Sequence, residues 1–170
     1  LPGLIRGELR PDLLSQAVYA TDASIYKEYP LGVIYPRDEE DLVTIVNFCR
    51  HRNIALIPRT AGTSLAGQCV GNGLVVDVSR HMTGILEINE EEKWVRVQPG
   101  VIRDELNRLL KSYDLMFGPN TATANRCMLG GMVGNNSCGS TSIVYGATRD
   151  HVLAVRAVLS DGSVTVFNSC

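Results

Sequence analysis

Two stretches of the chain carry the residue types that hold a phosphate group. The first is Arg59-Thr60-Ala61-Gly62-Thr63-Ser64-Leu65-Ala66-Gly67-Gln68, directly after a strand-like run that ends at Ile57. The second is Gly130-Gly131-Met132-Val133-Gly134-Asn135-Asn136-Ser137-Cys138-Gly139-Ser140. They lie in the two longest uncharged stretches, Thr60–Val76 and Cys127–Thr148, which hold nine of the 16 glycines and none of the 18 Asp and Glu residues. Arg59, Arg126 and Arg149 bound them. Glycine lets the backbone approach a ligand closely and adopt positive φ. Successive N–H groups then point at phosphate oxygens, and Ser and Thr hydroxyls add donors. The exclusion of carboxylates removes repulsion.

Neither loop matches a common nucleotide motif. There is no GxxxxGK[ST], which argues against a phosphate-transfer NTPase, and no GxGxxG after the strand, which argues against an ordinary Rossmann site. Two loops far apart in sequence imply an extended ligand gripped between two subdomains, and a dinucleotide fits that description. Segments rich in Gly, Ser and Asn are also common as plain surface loops. The pairing of these two, their neutrality and their position after strands weigh against that alternative. The residues alone lead to a phosphorylated ligand and no further.

Other chemistry finds little support. The five cysteines, Cys49, Cys69, Cys127, Cys138 and Cys170, form no CxxC pair, so zinc and iron–sulfur sites are not expected, nor any other metal site. Their odd number argues against a disulfide framework, and reduced thiols in a cytoplasmic protein are expected. His51, His81 and His151 lie at a helix end, a strand end and a strand start, none in a base–partner arrangement, so no catalytic residue is assigned. A net charge of −2 without a basic run gives no reason to expect nucleic acid. Cys127–Thr148 is long enough to consider as a membrane span, but Gly, Asn, Ser and Thr crowd it, so a transmembrane protein is not expected. No signal peptide is visible, and because the first residue is Leu1 the chain is expected to begin inside a longer protein or after processing.

The elements that must position the loops follow from periodicity. Residues 1–20 read as a helical lead-in, with Leu13, Leu14 and Val18 on one side. Val33–Tyr35 is a strand, and Pro36-Arg37-Asp38-Glu39-Glu40 starts a helix that ends near Asn53. Ile54–Ile57 is a buried strand, and the order strand, helix, strand suggests parallel pairing through a helical crossover. Gly73–Val78 is a further strand, Ile85–Ile88 and Trp94–Val97 pair, and Val101–Tyr113 is a helix with Leu106, Leu109 and Leu110 on its apolar face. Met116–Gly146 reads as irregular, and Val152–Leu159 with Val164–Phe167 as a hairpin over an Asp-Gly turn. The expected class is α+β, with a small α/β unit over 21–79 and a more antiparallel unit over 80–170.

The ordered set Pro58-Arg59-Thr60-Ala61-Gly62-Thr63-Ser64, Gln98-Pro99-Gly100-Val101, Gly118-Pro119-Asn120 and Leu129-Gly130-Gly131-Met132 resembles the FAD-linked oxidases. These have the FAD-binding fold of vanillyl-alcohol oxidase and p-cresol methylhydroxylase. The nearer resemblance is to D-lactate, glycolate and D-2-hydroxyglutarate dehydrogenases. Asn135-Asn136-Ser137-Cys138-Gly139-Ser140 with Tyr145-Gly146-Ala147-Thr148-Arg149-Asp150 is similar to the large members fused to an iron–sulfur domain. The resemblance runs from about Asp22 to Phe167.

The resemblance implies a PCMH-like domain of two α/β subdomains with FAD between them. Arg59, Thr60, Ala61, Gly62, Thr63 and Ser64 would wrap the FAD diphosphate, with Gly67 and Gln68 extending that loop. Pro119, Thr123, Gly130, Gly131, Gly134, Asn136 and Gly139 would form the second wall. Tyr145, Gly146 and Asp150 would lie near its end, with plain structural hydrogen bonding as the alternative for Tyr145 and Asp150. Some relatives tether FAD through a histidine where this chain has Thr63, which implies non-covalent FAD. Cys138 stands where relatives usually carry Ser or Gly, and packing is the expected role, a redox role the alternative. The resemblance further implies a C-terminal substrate domain that supplies the catalytic histidines, an iron–sulfur domain as a possible partner, and a parent protein that is cytoplasmic or peripheral to the membrane. Two alternatives stand beside a D-2-hydroxy-acid dehydrogenase: a flavin reductase of the cell-wall-precursor type, and a non-catalytic nucleotide-binding module.

Overall fold

The computed structural model describes Leu1 and residues 3–169. Pro2 and Cys170 lie outside the described residues. Strand β1 (Glu8–Arg10) and helix α1 (Leu13–Tyr19) lead to β2 (Gly32–Tyr35), α2 (Glu39–His51), β3 (Leu56–Arg59) and β4 (Leu74–Asp77). These strands form one sheet in the order β1-β2-β4-β3. The last three run parallel, and β1 is antiparallel to β2.

The strand order has a physical cause. All four residues of β4 are buried, as suits a central parallel strand covered on both faces. β3 carries Pro58, which has no N–H for a ladder and suits an edge. Thus β2 and β3 are parallel across the α2 crossover, as expected, but β4 lies between them. Helix α2 is capped by Asp38, whose side chain accepts from Asp41 N–H, and has three acids in its first turn and Arg50 and His51 in its last. Its Ile45 and Cys49 pack on Ile34, Leu74 and Val76.

The lead-in departs from the helical expectation. Glu8–Arg10 pairs with β2, and only Leu13–Tyr19 is helical. Gly7 passes so close to the Tyr35 carbonyl that any side chain there would overlap it. The buried Asp41 carboxylate accepts from the N–H groups of Arg6, Gly7 and Arg37 at 2.8, 2.8 and 2.9 Å, fastening this segment to α2. Leu13, Leu14 and Val18 are exposed.

Beyond the sheet, β5 (Ile85–Asn89) pairs with β6 (Trp94–Val97), and α3 (Arg103–Leu110) continues as a 3-10 turn through Tyr113. Leu106 and Leu110 are buried with Val101 and Leu129, whereas Leu109 faces outward. The region expected to be irregular contains α4 (Leu129–Gly134) and α5 (Ser142–Tyr145). Three glycines in six residues disfavour a helix, so tertiary anchors hold α4. Leu129 and Met132 are buried, and the N–H groups of Leu129 and Gly130 donate to Val101 and Pro99 carbonyls at 2.9 and 2.8 Å.

Finally, β7 (Ala154–Val158) and β8 (Val164–Asn168) form the expected hairpin. Arg156 bridges Glu39 through two bonds at 2.5 and 2.8 Å, so the hairpin touches α2. A mixed sheet with helices and two antiparallel ribbons is an α+β arrangement. Among the described residues, no helix is long and apolar enough to cross a membrane.

Candidate functional site

The first loop leaves the C-terminal end of β3, beside the end of β4, where parallel sheets place ligands. Gly62 and Gly67 have φ of +64° and +70°, a left-handed conformation that residues with a Cβ rarely adopt. Gly62 rests on the Arg59 guanidinium and Gly67 on the Tyr26 ring. Ser64 Oγ donates to Gln68 Oε1 at 2.6 Å and accepts from Ala66 N–H at 3.2 Å. Thr60, Ala61 and Thr63 are half-buried. Arg59 is folded under the loop, 4.9 Å above the Tyr19 ring, and donates to the Tyr19 and Cys69 carbonyls at 3.4 Å each. A surface pocket of about 290 Å³ adjoins this loop, with Tyr26, Ala66, Gly67 and Val70 in its lining.

The second wall is built on α4 and the chain around it. A Cβ at Gly130 would lie 2.5 Å from Pro99 Cβ, and one at Gly131 would lie 2.6 Å from Thr60 Oγ1. Gly131 and Thr60 therefore bring the two loops edge to edge, although they lie far apart in the chain. Gly139 packs so tightly on the Asn120 carbonyl that a side chain would overlap it, whereas nothing lies within 4 Å of a Cβ at Gly134. Pro119 is buried, and its carbonyl accepts from Arg103 Nε at 3.0 Å. The Thr123 carbonyl accepts from the N–H groups of Arg126 and Cys127 at 2.8 and 2.7 Å.

The end of this wall is a knot of hydrogen bonds. Asn136, at φ +47°, accepts from Arg149 N–H at 2.9 Å through Oδ1. The fully buried Thr148 donates N–H and Oγ1 to the Ser137 carbonyl at 3.0 and 2.6 Å. Asp150 accepts from Ala147 N–H at 2.8 Å and crowds Gly146, which has φ +75°. The Tyr145 side chain packs on Gly118, and its carbonyl lies 2.7 Å from His151 Nε2. Cys138 is exposed.

Sequence reading missed a buried polar cluster beside the first loop. Tyr19 donates its hydroxyl to Asp77 Oδ2 at 2.5 Å, and Tyr35 donates to the Tyr19 oxygen at 3.1 Å. Burial, then the Asp77 hydrogen bond, pushes the Tyr19 phenol well above its ordinary value. An acid closing the apolar run Leu74–Asp77 was the available signal, but nothing local points to Tyr19. Nearby, Cys69 donates its thiol to Asp22 Oδ2 at 3.6 Å, and burial pushes the Cys69 thiol up. Burial pulls the Asp22 carboxyl upward, but hydrogen bonds from Ser24 and Cys69 and the charge of Arg59 outweigh it and hold it low. Arg103, another omission, reaches the Phe117 and Pro119 carbonyls and so fixes the approach to the second wall.

The chemistry of this donor set fits a dinucleotide diphosphate: hydroxyls and backbone amides on two touching loops, with no carboxylate in either loop. Such a set of donors on an α+β frame suits a dinucleotide-binding domain. The chain belongs to the FAD binding domain family, whose model matches residues 30–168. FAD is accordingly its cofactor.

Two relatives are D-2-hydroxyglutarate dehydrogenases. The one from Haemophilus influenzae is 42% identical over 93% of this chain, and the one from Pseudomonas putida 44% identical over 92%. Glycolate oxidase subunit GlcD of Bacillus subtilis is 36% identical over 86% of the chain. The chain spans 16% of the length of each of the two dehydrogenases and 32% of the glycolate oxidase subunit. The fold is shared with 6-hydroxy-D-nicotine oxidase from Arthrobacter nicotinovorans, at a TM-score of 0.83 and 21% identity over 96% of this chain and 36% of that one. The fold is therefore that of the PCMH-type FAD oxidases, as the motifs implied.

Proposed function

We propose that this chain is the cofactor-binding part of a flavin-dependent dehydrogenase that oxidises a D-2-hydroxy acid of the lactate, glycolate or 2-hydroxyglutarate class. The observation that carries this is the 42–44% identity to D-2-hydroxyglutarate dehydrogenases across nearly the whole chain. The cell-wall-precursor reductase alternative is not favoured. In this proposal Thr60–Ser64, with Gly67 and Gln68, hold the diphosphate. Gly130, Gly131, Gly134, Asn136 and Gly139, with Pro119 and Thr123, line the second wall, and Tyr145, Gly146 and Asp150 frame its end. FAD, when bound, supplies the hydride acceptor. The chain's own residues bind it, orient it and exclude water.

Thr63 has no imidazole to tether the flavin, which supports non-covalent binding. His151 is engaged with Tyr145 and Phe117, and His51 is exposed at the end of α2, which supports a base supplied by a substrate domain C-terminal to this chain. An iron–sulfur domain is a further proposed partner. We also propose that the chain divides into a first unit up to residue 79, which takes in β1 as well as 21–79, and a second over 80–170; the separate hydrophobic clusters around Ile34 and around Val101 support this. The four free thiols among the described residues support a cytoplasmic protein, one that can sit peripherally on a membrane.

The test is FAD titration of the full-length protein followed by anaerobic addition of D-2-hydroxy acids. A bound flavin spectrum that bleaches with one of these acids is expected. Failure to bind FAD sinks the site, binding without bleaching by any D-2-hydroxy acid sinks the substrate class, and a covalent flavin adduct by intact mass overturns non-covalent binding.

A further inference from the structure

The geometry points to Arg59 as a positioning residue: its guanidinium sets the shape of the first loop from beneath and does not extend to the phosphates. This rests on the proposal that the loop holds the FAD diphosphate. A Cβ at Gly62 would lie 2.5 Å from Arg59 Nη2 and 2.9 Å from both Cζ and Nε, so the guanidinium packs directly against the loop backbone. The Tyr19 ring lies 4.9 Å from the guanidinium carbon. From this position Arg59 reaches the Cys69 carbonyl, at the far end of the loop it opens, and the Tyr19 carbonyl, at the end of α1. It thereby closes the loop on itself and satisfies a helix-terminal acceptor.

The support beneath Arg59 is also fixed. Tyr19 is hydrogen-bonded to the buried Asp77 and meets the Tyr35 ring edge-on at 6.2 Å. Asp77 lies level with Arg59 across the β3–β4 ladder. A continuous line of contacts thus runs from the sheet through Asp77, Tyr19 and Arg59 to Gly62. To touch a phosphate, Arg59 would have to leave the Tyr19 ring and both carbonyls, and Gly62 would lose its support. In place, it preorganises the loop.

The experiment measures FAD affinity and amide hydrogen exchange of the cofactor-free, full-length protein, for wild type, Arg59→Met, Arg59→Lys, Tyr19→Leu and the Arg59→Met/Tyr19→Leu pair. Lysine keeps the charge but loses the planar fork. We expect Met and Lys alike to weaken FAD binding about tenfold and to speed exchange across residues 60–69, with the double variant no worse than the worse single one. Near-wild-type binding in Arg59→Lys, with residues 60–69 exchanging normally in both Arg59 variants, would overturn the proposal in favour of direct pairing with phosphate. If wild type binds no FAD, the cofactor proposal fails, while the exchange measurement still decides the brace.

Discussion

The first loop leaves β3 as irregular chain tied down by side chains, whereas the second wall is wound into α4 and tied down by its own backbone. In the first, Gly62 and Gly67 supply left-handed torsion angles. In the second, Gly130, Gly131 and Gly139 have ordinary φ, and what matters is the missing Cβ, because Pro99, Thr60 and Asn120 press against them. Glycine thus answers a torsional demand in the first loop, as it does at Gly146 at the end of the second wall, and a purely steric one at Gly130, Gly131 and Gly139. One wall is therefore adjustable through the side chains beneath it, and the other only through backbone that is already hydrogen-bonded.

Substitutions break this comparison in order of severity. Gly139→Ala should be the most damaging, since its neighbour is a carbonyl that cannot move alone. We expect a loss of about 3 kcal/mol or more of stability and no measurable FAD binding, checked by urea unfolding and flavin fluorescence. Gly131→Ala should cost about 1 kcal/mol of stability by pushing Thr60, and Thr60→Ala in the same chain should recover part of that loss in urea unfolding, a readout independent of the part Thr60 is proposed to play in holding the diphosphate. No recovery would show that the contact between loops is incidental.

Gly134→Ala sharpens the contrast. Its Cβ would meet open space in a helical turn, so stability should stay level or rise by up to about 1 kcal/mol. A fall in FAD affinity without loss of stability would mark Gly134 as facing the cofactor. The smallest effect concerns Tyr19. Its phenol is raised by burial and by Asp77, so the folded state favours the neutral form. Its contribution to stability is complete below the ordinary tyrosine range and falls as pH rises above about 10. Denaturation as a function of pH should show that decline, and Tyr19→Phe should flatten it.

Much of the frame was legible because it is local. The Asp38 cap with the acids after it marked α2, and the Asp-Gly turn marked the β7–β8 hairpin. Residues 1–20 were misread because the pull on Glu8–Arg10 comes from β2 and Asp41, which lie beyond any local window. α4 escaped because its glycine content argues against helix, and distant anchors, the Pro99 and Val101 carbonyls and the burial of Leu129 and Met132, outweigh that.

Sequence by itself determined the composition of the proposed site: neutral, hydroxyl-bearing, glycine-rich segments suited to an anion, in an order specific enough to name a family. Tertiary structure alone decided how those segments meet. It placed Gly131 against Thr60, put β4 between β2 and β3, and turned Arg59 inward onto Tyr19 and Asp77. The reason is one of range. Composition and torsional preference act over a few residues, whereas close packing and the satisfaction of buried polar groups act between segments whose meeting no local pattern encodes.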